Sequence, residues 1–120
     1  MTRRVNNPEA QVQILVVEWF RRLYPQYLIF SVPNEATFQR APYYKLLGML
    51  PGVSDIVMVL KDKVFFLEFK APKNGRLSDH QCVFKTHVEL LGFEYHVIRD
   101  LQDVKSILKN NLPLDEWKDL

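Results

Sequence analysis

Two acidic residues and a lysine carry the strongest chemical signal in this chain. Asp55 precedes the apolar run Ile56 to Leu60, and Glu68 and Lys70 close the run that begins at Lys63. Both runs are rich in β-branched and aromatic residues and flank Lys61-Asp62, which is the pattern of a β-hairpin. A two-residue turn sets Leu60 opposite Lys63. Counting back along both strands then sets Asp55 opposite Glu68, with Cβ atoms about 4.5–5.5 Å apart. A four-residue loop keeps that register and a three-residue loop shifts it by one. Lys70 lies two residues beyond Glu68 and shares its face of the sheet. Two carboxylates this close repel, and Glu68 sits among Phe65, Phe66, Leu67 and Phe69, where desolvating an anion costs several kcal/mol, on the order of magnitude of any buried ion, unless a cation compensates. A hard divalent ion with oxygen ligands offsets both costs. Mg²⁺ or Mn²⁺ suits the site better than zinc, because no His or Cys is placed to join it. Taken alone, a Glu-x-Lys pattern on a strand reads more readily as a surface ion pair, with Asp55 as a turn carboxylate. The registered Asp55, the apolar flanks and the preceding Pro51-Gly52 favour the cation site.

The elements that must hold these groups follow from local signals. Asn7 is a good N-cap with Pro8 at the first helical position, and Val12, Leu15, Val16, Trp19, Phe20 and Leu23 then recur at helical spacing until Pro25. Residues 27–32 read as a short strand stopped by Pro33-Asn34, where Asn34 holds the turn. Residues 34–52 show no clear period and predict a loop or short helix of functional interest. After the hairpin, residues 71–77 form a loop containing Asn74-Gly75. Ser78 and Gln81 fit a capping box that starts a second helix, with Val83, Phe84, His87, Val88 and Leu91 as its apolar face and Gly92 as its stop. Residues 93–98 read as a strand. Asp100 caps a last helix with Val104, Ile107 and Leu108 facing inward, up to Asn110-Asn111 and Pro113. The order predicts a mixed α/β domain. His80, His87 and His96 have no metal-ligand spacing. His87 is expected in the core, and Cys82 is expected to be a buried or half-buried thiol.

Bulk composition narrows the class. The 120 residues suit one domain, with 48% hydrophobic and 25% charged residues, as in an ordinary globular protein. No apolar stretch approaches the roughly 18 residues that a membrane span needs. Residues 1–7 lack the apolar centre of a signal peptide, which predicts an intracellular protein. The single cysteine excludes an intrachain disulfide and a thiolate zinc cluster. A net charge of +2 is too small to indicate nucleic acid, so any electrostatic case rests on where the cations lie.

Three segments in order carry a resemblance: Pro51-Gly52-Val53-Ser54-Asp55, then Glu68-Phe69-Lys70-Ala71-Pro72, then Gly75-Arg76-Leu77-Ser78-Asp79-His80-Gln81. Together they resemble the VRR-NUC (virus-type replication-repair nuclease) family of the PD-(D/E)XK nuclease superfamily, over residues 9–108 of the chain. Ser54 departs from the pattern, since many relatives carry proline before the aspartate. The resemblance implies a restriction-endonuclease-like core, a mixed β-sheet flanked by helices, filling residues 1–120 as a single domain with its core at about residues 8–110.

The resemblance also implies roles. Asp55 and Glu68 would bind a catalytic Mg²⁺ or Mn²⁺, with the Phe69 carbonyl as a further ligand, and Lys70 would position the attacking water. The family pattern places a glutamate on the first helix. Glu9, near the edge of the apolar stripe and one turn before Gln13, fits better than Glu18, although Glu9 also suits any helix N-terminus. Gln81 becomes an active-site residue as well as half of a capping box. Lys73 and Arg76, just after Lys70, are placed for phosphate contact, and Arg40, Tyr43, Tyr44 and Lys45 form a second basic and aromatic cluster, for which solvated loop charge is the plainer explanation. The implied activity is hydrolysis of DNA phosphodiesters in branched DNA, with no organic cofactor and no membrane. Stand-alone relatives resemble phage-type Holliday-junction resolvases of DNA recombination and repair, and a four-way junction needs two symmetric cuts, which predicts a homodimer. Leu46, Leu47, Met49 and Leu50 are the residues offered for its interface. A flap nuclease and a non-catalytic DNA-binding module of the same fold are the alternatives.

Overall fold

A computed structural model of the chain describes residues 7–33 and 41–120, so the expectations for Asn34 and Arg40 lie outside the described residues. The elements run α1 (Pro8–Leu23), β1 (Leu28–Ser31), α2 (Ala41–Leu46), β2 (Ile56–Leu60), β3 (Lys63–Phe69), α3 (Asp79–Leu90), β4 (Glu94–Ile98) and α4 (Leu101–Asn111), followed by a 3₁₀ turn at Leu114–Glu116. The sheet has the order β1-β2-β3-β4. The first two pairings are antiparallel, and β3 pairs in parallel with β4. The last two pairings follow from the connections: the two-residue turn between β2 and β3 can only reverse the chain, whereas the parallel β3–β4 pair needs a crossover, here α3. Asp62 at that turn takes φ 61°, a left-handed conformation that an aspartate tolerates better than most residues. Among the described residues, no helix is long and apolar enough to cross a membrane.

Each helix start is explained by its cap. The Asn7 side chain accepts from the Glu9 and Ala10 amides, Ser78 with Gln81 makes a full capping box, and Asp100 with Asp103 makes another. The core lies on one face of the sheet. Ile56, Met58 and Leu60 of β2, Phe65, Leu67 and Phe69 of β3, and Ile98 of β4 pack there with Val16, Trp19 and Phe20 of α1 and Val104, Ile107 and Leu108 of α4. A C-terminal strap seals this layer. The Tyr24 hydroxyl donates to the Lys118 carbonyl and accepts from the Lys118 amide, and Trp19 Nε1 donates to Asp119 Oδ2 at 2.8 Å.

The apolar faces expected for two helices need correction. Leu15 on α1 is exposed, and on α3 Val83, His87 and Leu91 are exposed, while Val88 is buried and Phe84 half-buried. His87 is therefore not a core residue, and Cys82 is an exposed thiol. The physical reason is that α3 packs on β4 and covers only part of its sheet face, with Phe84 wedged against Phe66 and Tyr95, so the outer part of its apolar stripe stays exposed among the described residues.

Candidate active site

Glu68 is set by β3. Phe65, Leu67 and Phe69 point into the core, so Phe66, Glu68 and Lys70 point to the opposite face, beneath the first turns of α3. The ladder pairs Ile56 with Leu67, and one step further along the same register lies Asp55 beside Glu68. Asp55 is anchored twice. Its carbonyl accepts from the Val32 amide at 2.9 Å, and its Oδ2 accepts from the Phe69 amide at 2.8 Å. At the frayed end of a ladder the Phe69 amide would lack a backbone acceptor, and the Asp55 carboxylate takes that place. The bond also fixes where the carboxylate points.

Glu68 is only 3% exposed, and its Oε2 accepts from Gln81 Nε2 at 3.2 Å. Lys70 Nζ stands 3.9 Å from the same oxygen, an ion-pair distance too long for a hydrogen bond. The ammonium therefore compensates the buried charge without spending its donors on it. Gln81 serves two partners at once. Its Oε1 accepts from the Ser78 amide at 2.8 Å, completing the capping box, and this orientation turns its amide nitrogen towards Glu68. One side chain thus makes both the capping bond and the contact with Glu68.

Two backbone approaches tie the pieces together. Gly52, with φ +80°, lies so close to α3 that a Cβ there would fall 2.2 Å from the His80 carbonyl oxygen and 2.8 Å from the Gln81 amide. The Pro51-Gly52 turn before Asp55 is therefore docked on the first turn of the helix that presents Gln81. Ser54, the departure from the family pattern, is fully buried, and its hydroxyl donates to the Ile56 carbonyl at 3.2 Å. On the other side, Arg99 at the end of β4 donates to the Ala71 carbonyl at 2.8 Å and the Gly75 carbonyl at 2.7 Å, clamping the loop that follows Lys70. That loop carries Lys73 and Arg76, both exposed.

The remaining expected residues are distributed as follows. The Phe69 side chain is buried in the core, so only its backbone is offered to the site. Glu9 is half-buried and Glu18 exposed. Helix α1 runs from Arg21, which donates to the Ile29 carbonyl, back to Gln13 and Ile14 beside Ser31 and Ile56. Its first turn, with Glu9, therefore lies towards the Asp55 end of the sheet. Among the described residues no three His, Cys, Asp or Glu side chains assemble into a group that could hold a metal ion. Lys45 is exposed on α2, next to exposed Leu46, Leu47 and Leu50 and half-buried Met49.

Sequence reasoning missed three residues that pack around these groups. The Gly52 contact and the Arg99 clamp join segments far apart in the chain, and nothing local signals them. The third, Tyr95, is paired with Phe66 and so lies on the Glu68 face. Burial, followed by the nearby charges of Glu68 and Asp55 and then Cys82, holds its hydroxyl well above the usual phenol range, so it remains a protonated donor.

In comparisons with known proteins, no family model matches the chain and no curated protein matches it. A solved structure described as a VRR_NUC domain protein superposes with a TM-score of 0.70, covering 91% of this chain and 91% of that one at 19% identity. Such an identity speaks for the fold, and the fold agrees with the resemblance drawn from the three motifs: a mixed four-stranded sheet flanked by helices, arranged as in a VRR_NUC domain.

Proposed function

We propose that this chain is a divalent-cation-dependent endodeoxyribonuclease that hydrolyses phosphodiester bonds in branched DNA. The observation that carries the proposal is the juxtaposition of Asp55 and Glu68 at neighbouring strand positions, with the Lys70 ammonium 3.9 Å from the buried carboxylate. The donor set fits a hard cation. It consists of oxygen ligands only, and two anions crowd at one end of a sheet where a positive ion would relieve both repulsion and burial. Asp55, Glu68 and the Phe69 carbonyl would hold Mg²⁺ or Mn²⁺, and Glu9 would act on it through water. The bound ion would supply Lewis acidity towards the phosphate and lower the pKa of a water.

The chain's own residues account for the rest. Asp55 is held still by the Phe69 amide and Glu68 by the Gln81 amide, so neither carboxylate must reorganise during the reaction. The Lys70 ammonium is placed to stabilise charge on a phosphate and to orient the attacking water. Lys73 and Arg76, on the clamped loop, and Lys45 and Arg40 are assigned to the DNA backbone, where contacts position the duplex without reading sequence.

A Holliday-junction substrate requires a second active site. Exposed Leu46, Leu47 and Leu50 offer an apolar patch for a second copy, which supports the homodimer reading. The test is cleavage of four-way junction, flap and linear DNA with and without Mg²⁺ or Mn²⁺, beside the mass in solution. Paired symmetric nicks by a dimer, only with metal, are expected on the junction. Gel shifts without cleavage in either metal would refute the enzyme and leave a DNA-binding module.

A further inference from the structure

Tyr95 is 5% exposed, and its hydroxyl has no hydrogen-bond partner among the described residues. Leaving a buried donor unused is unfavourable, and native interiors rarely tolerate it without a purpose or a water. The surroundings point to what would use it. Tyr95 is paired with Phe66 on β3, two residues before Glu68 and on the same face. Its ring leans on Phe84 of α3 with centroids 6.0 Å apart, and Phe84 also contacts Phe66 at 5.6 Å, so the phenol is held from the side by an aromatic wedge. The charges that act on the hydroxyl are those of Glu68 and Asp55, the two carboxylates of the site, and more weakly the Cys82 thiol. A phenol hydroxyl carries a proton to donate, and on this face of the sheet that donor is unused.

We infer that Tyr95 is a positioning residue whose buried hydroxyl donates to a water completing the oxygen shell of the cation held by Asp55 and Glu68. This inference rests on the proposed function. A phenylalanine would fill the same space and meet the same ring contacts, so the hydroxyl alone is the variable. Partners one step removed from a metal typically change its affinity by about 10–100-fold when lost.

The experiment is calorimetric titration of Mn²⁺ into the metal-free wild type and into Tyr95→Phe, with urea unfolding of both in EDTA. The expected result is Mn²⁺ affinity weakened at least about tenfold, with a metal-free unfolding midpoint equal to or higher than that of the wild type, since the variant no longer buries an unused donor. Equal Mn²⁺ affinity in the two proteins overturns the role of Tyr95 and leaves the nuclease reading standing. Weaker binding accompanied by a lower metal-free midpoint assigns the hydroxyl to the fold and also overturns it. A wild type that binds no Mn²⁺ removes both readings together.

Discussion

Alternate residues of β3 face opposite sides of the sheet and meet different surroundings. Phe65, Leu67 and Phe69 are sealed in the core with α1 and α4, whereas Phe66, Glu68 and Lys70 lie on the side that α3 covers only in part. The dry side contributes about 1.5–3 kcal/mol for each large apolar side chain it buries. The other side holds a carboxylate whose burial costs several kcal/mol, on the order of magnitude seen for ions in protein interiors, a cost that Lys70 and Gln81 help to offset. Three buried neighbours on the dry side outweigh one such anion. The backbone under Glu68 is therefore rigid for reasons unrelated to its charge, and the site can keep an unfavourable group in place.

The contrast can be broken most sharply on the charged side. Asp55→Asn, Glu68→Gln and Lys70→Met are each expected to lower cleavage by about 10³-fold or more, the scale of removing a group that acts on transition-state charge. Circular dichroism should stay close to wild type for all three, as should the urea midpoints of Asp55→Asn and Glu68→Gln, whereas Lys70→Met should lower its midpoint because it removes the ammonium that compensates the buried Glu68 carboxylate. Full activity in any one of these would take that residue out of the mechanism. On the dry side, Leu108→Ala should do the reverse: a loss of about 2–5 kcal/mol in denaturant unfolding with kcat unchanged well below the melting temperature.

Smaller effects test the joints between the sides. Gly52→Ala forces a Cβ into the His80 carbonyl at a left-handed backbone position, so α3 or the turn must shift. A loss of about 1–3 kcal/mol in stability is expected, with cleavage reduced more than the folded fraction explains. Arg99→Ala should raise KM for DNA severalfold and leave kcat nearly unchanged, since it frees the loop of Lys73 and Arg76 and touches neither carboxylate.

The smallest effect lies in the C-terminal strap. The bond from Trp19 and the charge of Lys105 hold the Asp119 carboxyl below its ordinary range. A depressed carboxylate pKa stabilises the folded state above the unfolded value, and this stabilisation is lost as pH falls through the folded value. Trp19 fluorescence should therefore change on acidification below about pH 4, the ordinary aspartate range, and Asp119→Asn should remove the transition.

The hairpin was legible because its determinants are local: a two-residue turn, two β-rich runs and strict alternation, which together set Asp55 beside Glu68. The Ser78–Gln81 box was legible for the same reason. Val83, His87 and Leu91 were misplaced because helical spacing identifies an apolar stripe without saying how much of it a neighbour covers. The 3₁₀ turn and strap after Pro113 were missed, since their anchors Trp19 and Tyr24 lie about a hundred residues away, as the 100- and 94-residue separations of those bonds indicate.

The amino-acid order alone determined the strand register and the side of the sheet on which Glu68 and Lys70 emerge, because both follow from backbone periodicity and one short turn. It could not determine which distant groups close around them. The docking of Gly52 on His80, the Arg99 clamp, the turn of Gln81 towards Glu68 and the burial of the Tyr95 hydroxyl arise only when α3 and β4 pack against β3. Contacts of that kind depend on shape and distance between segments that no local pattern encodes.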